Sequence, residues 1–132
     1  MTIYLCLDDR NGMLFNKRRQ SRDAAVLADI AAGLPGALTI DGFSEKLIAA
    51  AGIPYGLAEE EMPRDTHFFL ENRDPEPLLP LAERIVIYRW NRHYPADVRW
   101  DADLTAHGFS LAETSEFPGK SHEIITKEVY VK

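Results

Sequence analysis

The chain has 132 residues, a formal net charge of -6, 45% apolar and 10% aromatic residues, and one cysteine. That length suits one domain with a real core, and the apolar content excludes a disordered chain. The charge disfavours nonspecific binding to nucleic acid or anionic membrane, and no apolar run approaches the ~20 residues that span a bilayer.

Thr2 to Leu7 is a short apolar, β-branched run that predicts a buried strand. Cys6 sits inside it, where a lone cysteine acts as a small core residue and cannot form an internal disulfide. The chain begins directly in this run without a signal-peptide pattern, so cytoplasmic residence is the default expectation. Asp8-Asp9-Arg10-Asn11-Gly12 reads as a turn and Phe15 to Gln20 as a polar loop. Ser21 is the expected N-cap of a helix in which Val26, Leu27, Ile30 and Ala31 recur at helical spacing, stopped by Gly33 and Pro35.

Ala37 to Ile40 reads as a second strand. Ser44 is the expected cap of a helix carrying Leu47, Ile48 and Ala51, with Gly52 as its stop. Gly56 to Asp65 is acidic and reads as irregular, and Thr66 to Leu70 as a strand. Pro75, Pro77 and Pro80 leave room for a short helix before Ile85 to Trp90, the strongest strand of the middle chain. Phe109 to Phe117 and Glu123 to Val131 read as an antiparallel hairpin joined through Pro118-Gly119-Lys120-Ser121. Two helices among the early strands, then strands alone, predict one α/β domain over residues 1–132. Its mixed, mainly parallel sheet carries flanking helices and ends in that hairpin.

Most catalytic motifs fail on inspection. Gly119-Lys120-Ser121 ends like a P-loop, but Thr114 stands where the first glycine belongs and the context is strand to strand. His122-Glu123 opens like H-E-x-x-H, yet Thr126 takes the final place. Gly42-Phe43-Ser44-Glu45-Lys46 lacks the second glycine of a nucleophile elbow. His67, His93, His107 and His122 are scattered, and no metal site is expected.

Two constellations remain. In Lys17-Arg18-Arg19-Gln20-Ser21-Arg22-Asp23, Asp23 is placed in the first turn of the helix, sharing its buried face and gaining from the helix dipole. If it faced an apolar cleft its proton affinity would rise, as acid–base chemistry requires; a plain helix-start aspartate is the alternative. Arg18 and Arg19 suit phosphate or carboxylate, and a solvated loop is their plainer reading. In Tyr88-Arg89-Trp90-Asn91-Arg92-His93-Tyr94, aromatics alternate with cations as a nucleotide site would need. On a strand, though, Tyr88 and Trp90 share one face and Arg89 takes the other, which suits a core face beside a solvent face.

These segments, in this order, resemble dihydrofolate reductase. The opening strand with Asp9-Arg10-Asn11-Gly12-Met13 looks like that family's first strand and the start of its mobile loop. Asp23 falls near its substrate-binding carboxylate, Leu79 to Tyr88 resembles the entry into its sixth strand, Asp97 matches an aspartate of the next loop, and the tail resembles its last hairpin. The resemblance spans about two thirds of the chain. It departs where reductases carry a glycine-rich phosphate turn: here the stretch is Leu70-Glu71-Asn72-Arg73. The segment from Ile40 to Thr66 is too short for the family's adenosine-binding part as well as the helix after Ser44. The loop tryptophan is absent, and Tyr88 stands for the sixth-strand threonine.

The resemblance implies a substrate half without its nicotinamide half, and so no bound cofactor. The expectation is a reductase-like pseudoenzyme that binds a small anionic or heterocyclic ligand or a nucleotide, with Asp23 central and Arg18, Arg19, Ser21, Tyr88 and Arg89 around it. A minimal active reductase, a protein-interaction module using acidic Glu59, Glu60 and Glu61, and an RNA-binding protein are the alternatives.

Overall fold

The computed structural model describes residues 1–132. Ten strands and two α-helices follow in the order β1 (Thr2–Leu7), β2 (Gly12–Phe15), β3 (Arg18–Arg19), α1 (Ala24–Ala32), β4 (Leu38–Ile40), α2 (Glu45–Ala50), β5 (Tyr55–Leu57), β6 (His67–Phe69), β7 (Arg84–Arg89), β8 (Val98–Arg99), β9 (Ser110–Pro118) and β10 (Ile124–Val131). The main sheet has the order β5-β4-β6-β1-β7-β10-β9. Its first five strands are parallel, and β10 and β9 close it as the expected antiparallel hairpin. A smaller antiparallel sheet, β3-β2-β8, stands beside it. No helix is long and apolar enough to cross a membrane.

Strand alternation sorts the core into two layers. Ile3, Leu5 and Leu7 of β1, with Phe68, Leu70, Ile85 and Ile87, pack under the turn Glu76–Leu81, Trp100 and Phe109. Tyr4 of β1, with Phe69, Val86, Tyr88 and Trp90, meets the helices on the other face. Helix α1 buries Val26, Leu27 and Ile30 there, each worth roughly 1.5–3 kcal/mol over exposure.

Several local expectations change. Phe15 to Gln20 is not a loop: Asn16 and Lys17 both adopt left-handed backbone (φ 52° and 61°), the two-residue turn that joins β2 to β3 as a hairpin. Helix α1 starts later than Ser21 would place it. Asp23 is its N-cap, extended at φ -152°, and accepts from the Ala25 N–H. Ser44 ends a 3-10 turn (Gly42–Ser44) with helical backbone, so its hydroxyl does not cap α2. Gly52 (φ 72°) takes the left-handed position just beyond that helix. Tyr55–Leu57, overlapping the start of the stretch read as irregular, pairs with β4 as an edge strand.

Candidate functional site

Because β4, β6, β1 and β7 run parallel, their carboxyl ends gather along one edge, where ligands of open α/β sheets bind. The β2–β3 hairpin, the approach to α1 and the turn after β4 border that edge. Between them lies an open cavity of about 710 Å³, lined by Lys17, Arg18, Arg19, Ser21, Arg22 and Phe43. Arg19 is neutralised: its Nε and Nη2 each donate at 2.8 Å to Glu71, just past β6. Its guanidinium also lies 5.2 Å from the centre of the Phe43 ring. The Ser44 hydroxyl donates to the same carboxylate at 2.7 Å. Lys17, Arg18 and Arg22 enter no ion pair.

Behind the cavity, Asp23 is buried and its carboxylate is saturated. Oδ1 accepts from the N–H groups of Ala25 (2.8 Å) and Lys120 (2.9 Å); Oδ2 accepts from those of Ser121 (2.8 Å) and His122 (3.1 Å) and from His122 Nδ1 (2.9 Å). Five donors exceed the roughly four lone-pair sites of a carboxylate. Burial alone would raise its pKa, but the Lys120 N–H, the His122 side chain and the remaining N–H groups outweigh it and hold the carboxyl at about 2. The rise in proton affinity considered for an apolar cleft does not occur. Gly119-Lys120-Ser121 is thus an anion-cradling turn after all, and the anion is internal. Gly119 must be glycine, because a Cβ there would stand 2.5 Å from the His122 carbonyl oxygen and 2.6 Å from Asp23 Oδ2.

His122 extends this network. An ionised Asp23 can only accept, so Nδ1 carries the proton. The imidazole stacks on Trp90 at 4.6 Å and 21°. Its Nε2 meets the Ser21 hydroxyl at 2.9 Å and the Tyr94 hydroxyl at 3.0 Å. Cys6 lies beneath, beside Ser21 and Trp90, and desolvation pushes its thiol far above the ordinary range, which removes it as a nucleophile. On the other side Asp8 accepts from the N–H groups of Gly12 (2.7 Å) and Arg10 (2.8 Å) and from the Gln20 amide (3.0 Å). Burial works against its ionisation, yet these donors leave its pKa below the usual carboxylate value.

The residues read as one site divide into four places. Arg18, Arg19 and Ser21 do share the cavity. Tyr88 does not reach it: it is fully buried beneath α1, and its hydroxyl donates to Asp29 at 2.6 Å. Arg89 points to the opposite face, as strand alternation requires, where it donates to Glu128 and Asn11 and borders a separate hollow with Trp100 and Tyr130. Asp23 lies behind Ser21 and is occupied by the hairpin turn. Sequence reasoning set His122 and Phe43 aside with the failed motifs and grouped Tyr94 with Tyr88 and Arg89. One signal existed, the glycine-led turn Gly119-Lys120-Ser121, but its anion is about a hundred positions away in the chain, as separations of 97–99 residues show.

No protein-family model matches the chain, and no curated protein sequence matches it. Solved structures do match in fold. One is a dihydrofolate reductase from Enterococcus faecalis, complexed with NADP(H) and RAB-propyl. It is similar with a TM-score of 0.68 at 7% identity, over 98% of this chain and 94% of that one. At that identity the likeness is one of fold alone: the chain has a dihydrofolate reductase-like fold. The likeness spans nearly the whole of both chains, and in this chain β4 and β5 extend the sheet beyond β6.

Proposed function

We propose that this dihydrofolate reductase-like domain is a cytoplasmic pseudoenzyme toward NADPH. It binds a small anionic ligand, a heterocycle or a nucleotide, in the cavity bordered by Arg18, Ser21 and Arg22. The observation that carries this reading is the set of three unpaired cations, Lys17, Arg18 and Arg22, around one cavity in a chain of net charge -6. Charge-assisted hydrogen bonds to such a ligand are worth roughly 1.5–3 kcal/mol each. Two further features support the absence of hydride transfer. Asp23, matched by resemblance to the substrate carboxylate, has every acceptor site taken. Where the glycine-rich phosphate turn would lie, the stretch is Leu70-Glu71-Asn72-Arg73, with Glu71 bound to Arg19 and Ser44.

A thermal-shift panel of folates, pterins, nucleotides and pyrophosphate tests the reading. A ligand at about a hundredfold its Kd stabilises by ~2.7 kcal/mol, which for a domain of this size raises Tm by roughly 8–14 °C. The shift is expected to vanish in Arg18→Glu/Arg22→Glu, whose charge change lies on the surface. A shift that survives that double substitution, or none from any anion in the panel, would refute the reading.

A further inference from the structure

Three side chains of the network behind the cavity stand in a charge-relay order. Asp23 Oδ2 accepts from His122 Nδ1 at 2.9 Å, and His122 Nε2 meets Ser21 Oγ at 2.9 Å. Both distances lie in the range that links a nucleophile, its base and the group that orients the base. The imidazole is already fixed by Asp23 on one side and by stacking on Trp90, so Ser21 is not needed to hold it. Burial runs in the direction a relay needs: the carboxylate and imidazole are shut away from water, and Ser21 is half-buried and lines the cavity. With Nδ1 protonated toward the carboxylate, Nε2 presents its lone pair to the hydroxyls. Tyr94, at 3.0 Å from Nε2 and 3.4 Å from Ser21 Oγ, is a second hydroxyl at the same point.

We infer that Ser21, His122 and Asp23 form a nucleophilic triad that cleaves esters of small anionic acids held by Arg18 and Arg22. The substrate class rests on the anion-binding reading of the cavity given above. Ser21 Oγ bonds to the ester carbonyl carbon while its proton passes to His122 Nε2. The carbon–oxygen bond to the alcohol breaks, and the alcohol leaves with that proton. Water then bonds to the acyl carbon, giving a proton to Nε2, and Ser21 Oγ departs and takes it back. Acid and alcohol are the products, and no oxidant or reductant is needed. Arg22, next to Ser21 in the chain, lines the same cavity.

The test compares mono-4-nitrophenyl terephthalate, whose acyl group is charged and whose carboxylate cannot reach its own ester, with neutral 4-nitrophenyl benzoate. Nitrophenolate release and peptide mass mapping are followed together. The expected result is an acyl group on Ser21, absent in Ser21→Ala, with release slowed at least about a hundredfold in His122→Gln. Circular dichroism confirms that both variants are folded; Ser21→Ala, which removes only a partly exposed hydroxyl, carries the test if His122→Gln unfolds. The charged ester should react at least tenfold faster, and Arg18→Glu/Arg22→Glu should erase that preference. Folded protein that still shows anion-dependent thermal shifts but gains no acyl group on Ser21 overturns the triad alone. Acylation of Ser21 at equal rates from both esters overturns the anion-binding reading and the substrate class with it.

Discussion

Replacing Asp23 by alanine is expected to destabilise the fold by about 3–5 kcal/mol, from a lost helix cap (~1 kcal/mol) and buried N–H groups left unsatisfied (roughly 1–3 kcal/mol each). The substitution removes the N-cap of α1 and strands the N–H groups of Lys120, Ser121 and His122 without their acceptor. For a chain of this length the loss corresponds to a fall in Tm of roughly 10–20 °C. Asp23→Asn, which keeps one acceptor oxygen, should lose less. The effect has a pH signature. The folded carboxyl titrates at about 2, below its ordinary value of 3.8, so its contribution is complete above the unfolded pKa and fades as pH falls from about 4 toward 2. Urea midpoints of wild type and Asp23→Ala should therefore converge across that window. Parallel midpoints would mean that the carboxylate is not what holds the turn.

The second large effect is expected at Gly119. An alanine Cβ would stand 2.5 Å from a backbone carbonyl oxygen, that of His122, so the turn has to move away from Asp23. Overpacking of this kind costs roughly 1–3 kcal/mol, here toward the upper end because backbone opposes it. Both substitutions undo one docking event, so Asp23→Ala/Gly119→Ala should cost clearly less than the sum of the two. Additive losses in equilibrium denaturation would show that the turn and the carboxylate stabilise the fold independently.

The contrast between what could and could not be read in the residues has a consistent cause. β1 and β7 were legible because their apolar runs are bounded by turn residues, and the last hairpin because two strand-like stretches flank the turn Pro118-Gly119-Lys120-Ser121. β5 and β8 were missed; they are two or three residues long, mostly exposed, and exist only by pairing with a neighbour. The β2–β3 turn was missed because Asn16 and Lys17 fill a left-handed turn that usually announces itself with glycine. Ser21 and Asp23 are both good capping types, and local pattern cannot choose between them. The choice is made by the hairpin turn docking from the far end of the chain.

The same reasoning applies to the site. Arg18, Arg19 and Ser21 are near neighbours in sequence, on β3 and the approach to α1, so their convergence was visible. Tyr88 and Arg89 are also neighbours, but a strand sends them to opposite faces, one beneath α1 and one to a different hollow. The local signals around His122, a failed H-E-x-x-H and the turn Gly119-Lys120-Ser121, did not name its partners. Its role depends on Asp23, Trp90, Tyr94 and Ser21, brought together only by the sheet order.

The central claim is that the cations of the β2–β3 side take the ligand while Asp23 remains committed to the hairpin turn. Crystals soaked with folate and, separately, with ATP test it most directly. The expected density lies against Arg18 and Arg22, with the Lys120 and Ser121 N–H groups still on Asp23. A ligand seated on the Asp23 carboxylate, with the turn at Gly119–His122 displaced, would contradict it.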